Sequence, residues 1–183
     1  MLLLILGLVL WCAGHFFKRV MPKTHAAMGR RAKLLAALSI AGGVVLMIVG
    51  YRGAEPLFLY ALPIEAWWIN NAAMLAALFL VDVGRAHGVV RTKIRHPMLL
   101  GVAVWAAAHL LVNGDLPSLV LFGGLGAWAM VEMAVINRAE GAWRPPERGP
   151  WVNDAKVAGV AVVIYAVIVG IHDWFDHPAL LWL

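Results

Sequence analysis

Residues 98–113 read Met98-Leu99-Leu100-Gly101-Val102-Ala103-Val104-Trp105-Ala106-Ala107-Ala108-His109-Leu110-Leu111-Val112-Asn113, sixteen positions without one acid, lysine or arginine. Out of water, such a run satisfies its backbone only by coiling into a helix, because lipid offers no partner to a free N–H or C=O. Five more runs of this kind lie at 2–20, 34–51, 66–83, 117–137 and 155–175, each near the 17–25 residues that cross a bilayer. Gly114-Asp115-Leu116-Pro117 reads as a tight turn, which makes the fourth and fifth runs an antiparallel hairpin. The one long connection, 138–154, contains Arg144-Pro145-Pro146-Glu147-Arg148-Gly149-Pro150 and reads as an irregular surface loop. The expected fold is all-α: a polytopic membrane helix bundle of six transmembrane helices, filling 1–183 as a single domain.

Composition agrees. The chain is 63% hydrophobic and 14% charged, against about half and a quarter in soluble domains. Its net charge of +5 comes from residues between the apolar runs, with no aromatic-interleaved basic patch, so the expected surrounding is a lipid bilayer and no nucleic acid. No basic segment precedes the first run, whereas Lys18 and Arg19 follow it, the reverse of a cleaved signal peptide. The single cysteine, Cys12, excludes a disulfide framework and reads as a small buried hydrophobe. No nucleotide-binding glycine loop, nucleophile elbow or paired-carboxylate motif occurs, which leaves nucleotide hydrolysis and acyl transfer without support.

Two runs carry a histidine one helical turn after a tryptophan: Trp11-Cys12-Ala13-Gly14-His15 and Trp105-Ala106-Ala107-Ala108-His109. An ionisable group inside a span is expensive to keep and marks a functional site by default. Trp11, Trp105 and Trp128 fall at mid-span, as core filler or as the lining of an apolar cavity, while Trp67, Trp68, Trp174, Trp182, Trp143 and Trp151 fall near the interfaces. His25, His87, His172 and His177 read as solvated or interfacial, the last two beside Asp173 and Asp176, which leaves His15, His96 and His109 as candidate ligands. Glu132 would complete a two-histidine, one-carboxylate set, but a haem needs only one or two imidazoles and an apolar slot, so the ligand count favours haem b. Lys18, Arg19 and Arg95 would then pair with its propionates. Depth along the spans pairs His15 with His96 rather than His109, since His15 is about 5 Å and His109 about 18 Å from the boundary on their side at 1.5 Å per residue. Arg95-His96-Pro97 also reads as a helix start, with Pro97 in its first turn.

Arg95-His96-Pro97-Met98-Leu99-Leu100-Gly101, followed by Trp105, Ala108-His109-Leu110 and Asn113-Gly114-Asp115, resembles the signature of the NnrU family, and Gly14-His15 resembles that family's N-terminal histidine. The family includes membrane proteins named from denitrification gene clusters, and 15-cis-ζ-carotene isomerase, which binds haem b in a bundle, is a relative. The resemblance implies haem b with His15 and His109 as axial and metal ligands. It implies redox or nitrogen-oxide-linked metabolism, or cis–trans isomerisation of an apolar polyene substrate, with a redox partner where electrons are needed. The relative's cysteine one turn before its second ligand is Ala106 here, so a ligand switch does not carry over.

Two other readings stand beside this one. Arg-His-Pro at the start of a helix pair also occurs in membrane S-adenosylmethionine-dependent methyltransferases of the isoprenylcysteine and phospholipid type, where two glutamates follow the next span. Here Asn137-Arg138-Ala139-Glu140 supplies one. A non-catalytic assembly or transport partner is the third reading, although no charged path crosses the midplane.

Basic residues set the orientation. Fourteen of the fifteen lysines and arginines follow spans one, three and five, and Arg52 alone lies on the other side. A multi-pass protein of the inner (cytoplasmic) membrane with both termini outside is expected. A reporter active only outside the cytoplasm should therefore work when fused at residue 183; activity of a cytoplasm-only reporter there would break the six-span topology.

Overall fold

The computed structural model describes residues 1–175. They form α1 (Leu2–Val20), α2 (Pro22–Met28), α3 (Arg30–Arg52), α4 (Glu65–Val83), α5 (Pro97–Val112), α6 (Leu116–Glu140) and α7 (Trp151–Trp174), with no strand among the described residues. The chain is a helical membrane protein. Five helices, α1, α3, α4, α6 and α7, are long and apolar enough to cross a membrane. The fourth expected span is α5, apolar but 16 residues long, about 24 Å at 1.5 Å per residue and short of a hydrocarbon core of about 30 Å. The short helix α2 was not legible in the basic segment after α1. Pro22 opens it, and Gly29, at φ +53°, ends it in the left-handed region that glycine tolerates. The end bearing the basic connections is called inner below.

Helix ends follow their sequence signals. His96 is the N-cap of α5 and Pro97 lies in its first turn. Asp115 caps α6, its carboxylate accepting from the Ser118 N–H at 2.9 Å and from the Ser118 hydroxyl at 2.7 Å. The connection around 114–117 is the expected tight turn, and the outer segment lies over it: the Leu59 and Tyr60 N–H groups donate to Gly114 O at 2.8 and 3.1 Å. At the inner end Asp154 accepts from the Val89 and Val90 N–H groups at 2.6 and 3.3 Å, joining the start of α7 to the connection after α4. The expected 138–154 loop is irregular over 141–150 and helical at both ends.

The helices pack in the spatial order α3, α1, α6, α5, α4, α7. Lipid is as apolar as leucine, so close approach of backbones rather than hydrophobic exclusion holds such helices together. Glycines supply it: Gly7 meets Gly43 and Met47 across the antiparallel α1–α3 pair, and Gly101 of α5 meets Ala77 and Val81 of α4. Between these contacts sit two buried clusters, one around Leu4, Met47 and Leu125, the other around Leu99, Trp128 and Ala129. The outer surface is apolar as well, with Val162, Val163 and Val167 of α7 56, 63 and 57% exposed, as side chains solvated by lipid would be.

Adjacent glycines test this packing. A Cβ on Gly43 would lie 2.8 Å from Gly7 O and 2.9 Å from Trp11 N, whereas one on Gly42 meets nothing within 4 Å. Gly43→Val should lower stability by about 1–3 kcal/mol, read as earlier thermal loss of the monodisperse detergent-solubilised protein. Gly42→Val should leave the melting point near wild type.

Candidate functional site

Helix α6 carries both histidine motifs on its flanks. It runs parallel to α1, with Trp11 and His15 against Trp128 and Arg19 against Glu132, and antiparallel to α5, with His109 against Phe122 and His96 against Asn137. Helices α1 and α5 therefore run in opposite directions. Trp11 and Trp105 both border an apolar cavity of about 400 Å³ that also touches Met47, Tyr51, Arg52 and Leu125. One turn beyond each tryptophan the motifs diverge: His15 lies toward the inner end, 4.6 Å from Trp128 between ring centroids, and His109 toward the outer end, 4.4 Å from Phe122. Phe122 and Trp128 are six residues apart on α6, about 9 Å at 1.5 Å per residue. Two nitrogens held about 2 Å from one metal on opposite sides are about 4 Å apart. His15 and His109 pack on parts of α6 further apart than that.

His15 packs among aromatic rings. Its Nδ1 donates to Trp11 O at 2.9 Å, and Trp11 and Trp128 cover it at 4.3 and 4.6 Å. Next to it Arg19 Nε donates to Glu132 Oε1 at 2.9 Å, deep in the bundle, where Glu132 is 7% exposed. The second Glu132 oxygen and the indole N–H groups of Trp11 and Trp128 are buried without a protein partner. Cys12 is half-buried and packs on the Leu99, Trp128 and Ala129 cluster, as a small hydrophobe does.

Among the inner cations, Arg19 and Arg95 are engaged. Arg95 donates to Gly141 O at 2.7 Å and lies 3.5 Å from Glu140, while His96 Nε2 donates to Asn137 Oδ1 at 2.9 Å. These bonds fasten the start of α5 to the end of α6. Lys18, Arg19 and Arg138 border an inner groove of about 730 Å³ between α1 and α6. No three His, Cys, Asp or Glu side chains converge as a metal site among the described residues; Glu132, expected as a possible third ligand, faces Arg19 instead.

His109 opens onto space. It borders an outer cavity of about 530 Å³ walled by α4 to α7 and by Tyr51 of α3, with Asn70, Tyr165 and His172 also in its lining. A carbonyl can only accept, so the 2.9 Å contact of His109 Nδ1 with Trp105 O puts the ring proton on Nδ1 and leaves the Nε2 lone pair free. Backbone fixation of one ring nitrogen is the usual support of a metal-binding imidazole. Sequence reasoning missed Asn70 and His172. Asn70-Asn71 inside an apolar run was the available signal, whereas His172 looked interfacial beside Asp173. Of the remaining histidines, His87 sits at φ +52° against Arg91 in a surface loop, and His177, with Asp176 and Trp182, lies outside the described residues.

The family model described as NnrU protein matches residues 3–178. No curated protein and no solved structure matches the chain.

The Arg19–Glu132 pair yields a direct test. Arg19→Leu should destabilise the protein by about 2 kcal/mol, below the full cost of a broken buried pair because the Arg19 side chain is 28% exposed. Arg19→Leu with Glu132→Leu should recover most of that loss in a thermal melt, since two well-packed apolar side chains replace a desolvated pair.

Proposed function

The chain belongs to the NnrU family, and on that premise we propose that it is a haem b protein of the cytoplasmic membrane, with both termini outside, acting on an apolar membrane-borne ligand. The observation that carries the proposal is His109: an imidazole in an apolar helix, its Nδ1 fixed by Trp105 O and its Nε2 free at the edge of a cavity of about 530 Å³. Cavities of this size lined by rings and a few polar groups are what cofactor sites in helix bundles look like. Bound there, the haem would supply an iron that changes oxidation state without a change in the protein's fold. His109 would hold it, and Phe122, stacked on the imidazole at 24° between ring planes, fixes the orientation of that ring.

The apolar cavity beside it supports the choice of ligand. Tyr51 borders both cavities, and Trp105 touches His109 on one side and lines the apolar cavity on the other. Apart from Tyr51 and Arg52, its named walls are Trp11, Trp105 and aliphatic side chains, a surface that accepts an extended hydrocarbon and has few groups to orient a polar one. This favours the polyene cis–trans isomerisation of the related enzyme over nitrogen-oxide-linked chemistry, which would use the haem without that cavity. The methyltransferase reading gains no such support, because Arg95 and His96 are occupied with α6.

Protein purified from haem-replete cells should carry a Soret band. His109→Ala should cut the haem-to-protein ratio by more than about tenfold, since losing even an outer partner of a ligand costs 10–100-fold. His96→Ala should leave the band in place. A colourless wild-type preparation that also takes up no added haemin would overturn the proposal.

A further inference from the structure

We propose that the inner groove between α1 and α6 holds the headgroup and upper acyl chain of an anionic phospholipid, whether or not a haem is bound elsewhere in the bundle. The groove has a volume of about 730 Å³; its cations are Lys18, Arg19 and Arg138, and its apolar floor is Val131, Ala134 and Val135. Both helices end here, with Lys18 and Arg19 in the last turn of α1 and Arg138 in the last turn of α6. From Val131 to Arg138 is about 10 Å along α6 at 1.5 Å per residue. Over that length the groove passes from apolar to cationic toward the inner end, as a lipid of the inner leaflet passes from acyl chain to headgroup. Val131 is 51% exposed, and Lys18 and Arg138 are exposed as well, so the groove opens on the surrounding bilayer.

Charge selects the occupant. Arg19 is matched by Glu132 at 2.9 Å, and Glu140 lies 3.5 Å from Arg95 and 3.9 Å from Arg19. Among the described residues, Lys18 and Arg138 have no carboxylate within 4.0 Å. Two cations without a counter-charge therefore border an apolar floor at the inner end of the bundle. An anionic headgroup supplies the missing charge, and basic pockets between helices on the cytoplasmic side take such headgroups. A neutral lipid would leave the cations unmatched, and a soluble anion would leave the apolar floor uncovered.

The test titrates the full chain in mild detergent with short-chain phosphatidylglycerol or phosphatidylcholine and counts retained lipid by native mass spectrometry. Wild type should prefer phosphatidylglycerol by about 25-fold, about fivefold for each of the two cations. Lys18→Gln with Arg138→Gln should abolish that preference. Lys93→Gln with Arg144→Gln, which removes the same charge from outside the groove, should keep it. Ala134→Phe, which fills the floor and leaves every cation in place, should weaken retention of both lipids. Equal loss of preference in the two charge-removed variants would overturn the proposal, as would an Ala134→Phe variant that binds like wild type. The proposal also falls if Lys18→Gln with Arg138→Gln keeps the lipid preference and loses its Soret band, since the two cations would then serve haem propionates.

Discussion

Short connections force successive spans to run antiparallel, and that reversal governs what a repeated sequence motif means in this bundle. Trp-x-x-x-His places its histidine one turn beyond its tryptophan along the chain. On α1 beyond is inward, and on α5 it is outward. The α6 residues on which the two histidines pack, Trp128 and Phe122, are about 9 Å apart at 1.5 Å per residue. Two motifs that look like halves of one site therefore belong to different levels of the molecule. One imidazole packs among indoles beside an ion pair, and the other faces a cavity.

The rest of the architecture keeps those levels in place. Glycine contacts bring α1 onto α3 and α5 onto α4 at backbone distance, so neither pair can slide by a turn without a clash. Polar ties then fix depth: Arg19 to Glu132 between α1 and α6, Arg95 to Glu140 and Gly141 between α5 and α6, and Tyr60 to Leu110 at the outer end. Of these, the Arg19–Glu132 bond, with its carboxylate buried in a surrounding of low dielectric, is the costly one to break.

Much of the fold was legible. The first apolar run, 2–20, is the helix Leu2–Val20, and the apolar runs elsewhere fall within a few residues of helix ends. Periodicity and charge identify helices because lipid permits little else. The 16-residue α5 is where a count of six spans rests on a helix short of full membrane thickness. Helix α2 escaped because seven residues of a basic connection carry no apolar pattern. The site was half legible. His109 and Trp105 were marked by their surroundings in sequence, but which helix faces them is a property of packing. His172 passed for an interfacial residue because its neighbours in sequence are acidic, while its neighbours in space are Asn70, Tyr165 and His109. Of the propionate partners expected from charge alone, Lys18 borders the inner groove, while Arg19 bonds to Glu132 and Arg95 to Gly141 O.

Distances between the three histidine positions test the central claim without any cofactor. Cysteines at 15, 109 and 172, with Cys12 replaced by alanine, can be spin-labelled in pairs and measured by pulsed electron paramagnetic resonance in lipid discs. The account predicts that the 109–172 pair is the closer and the 15–109 pair the more distant. A 15–109 separation shorter than 109–172 would contradict it.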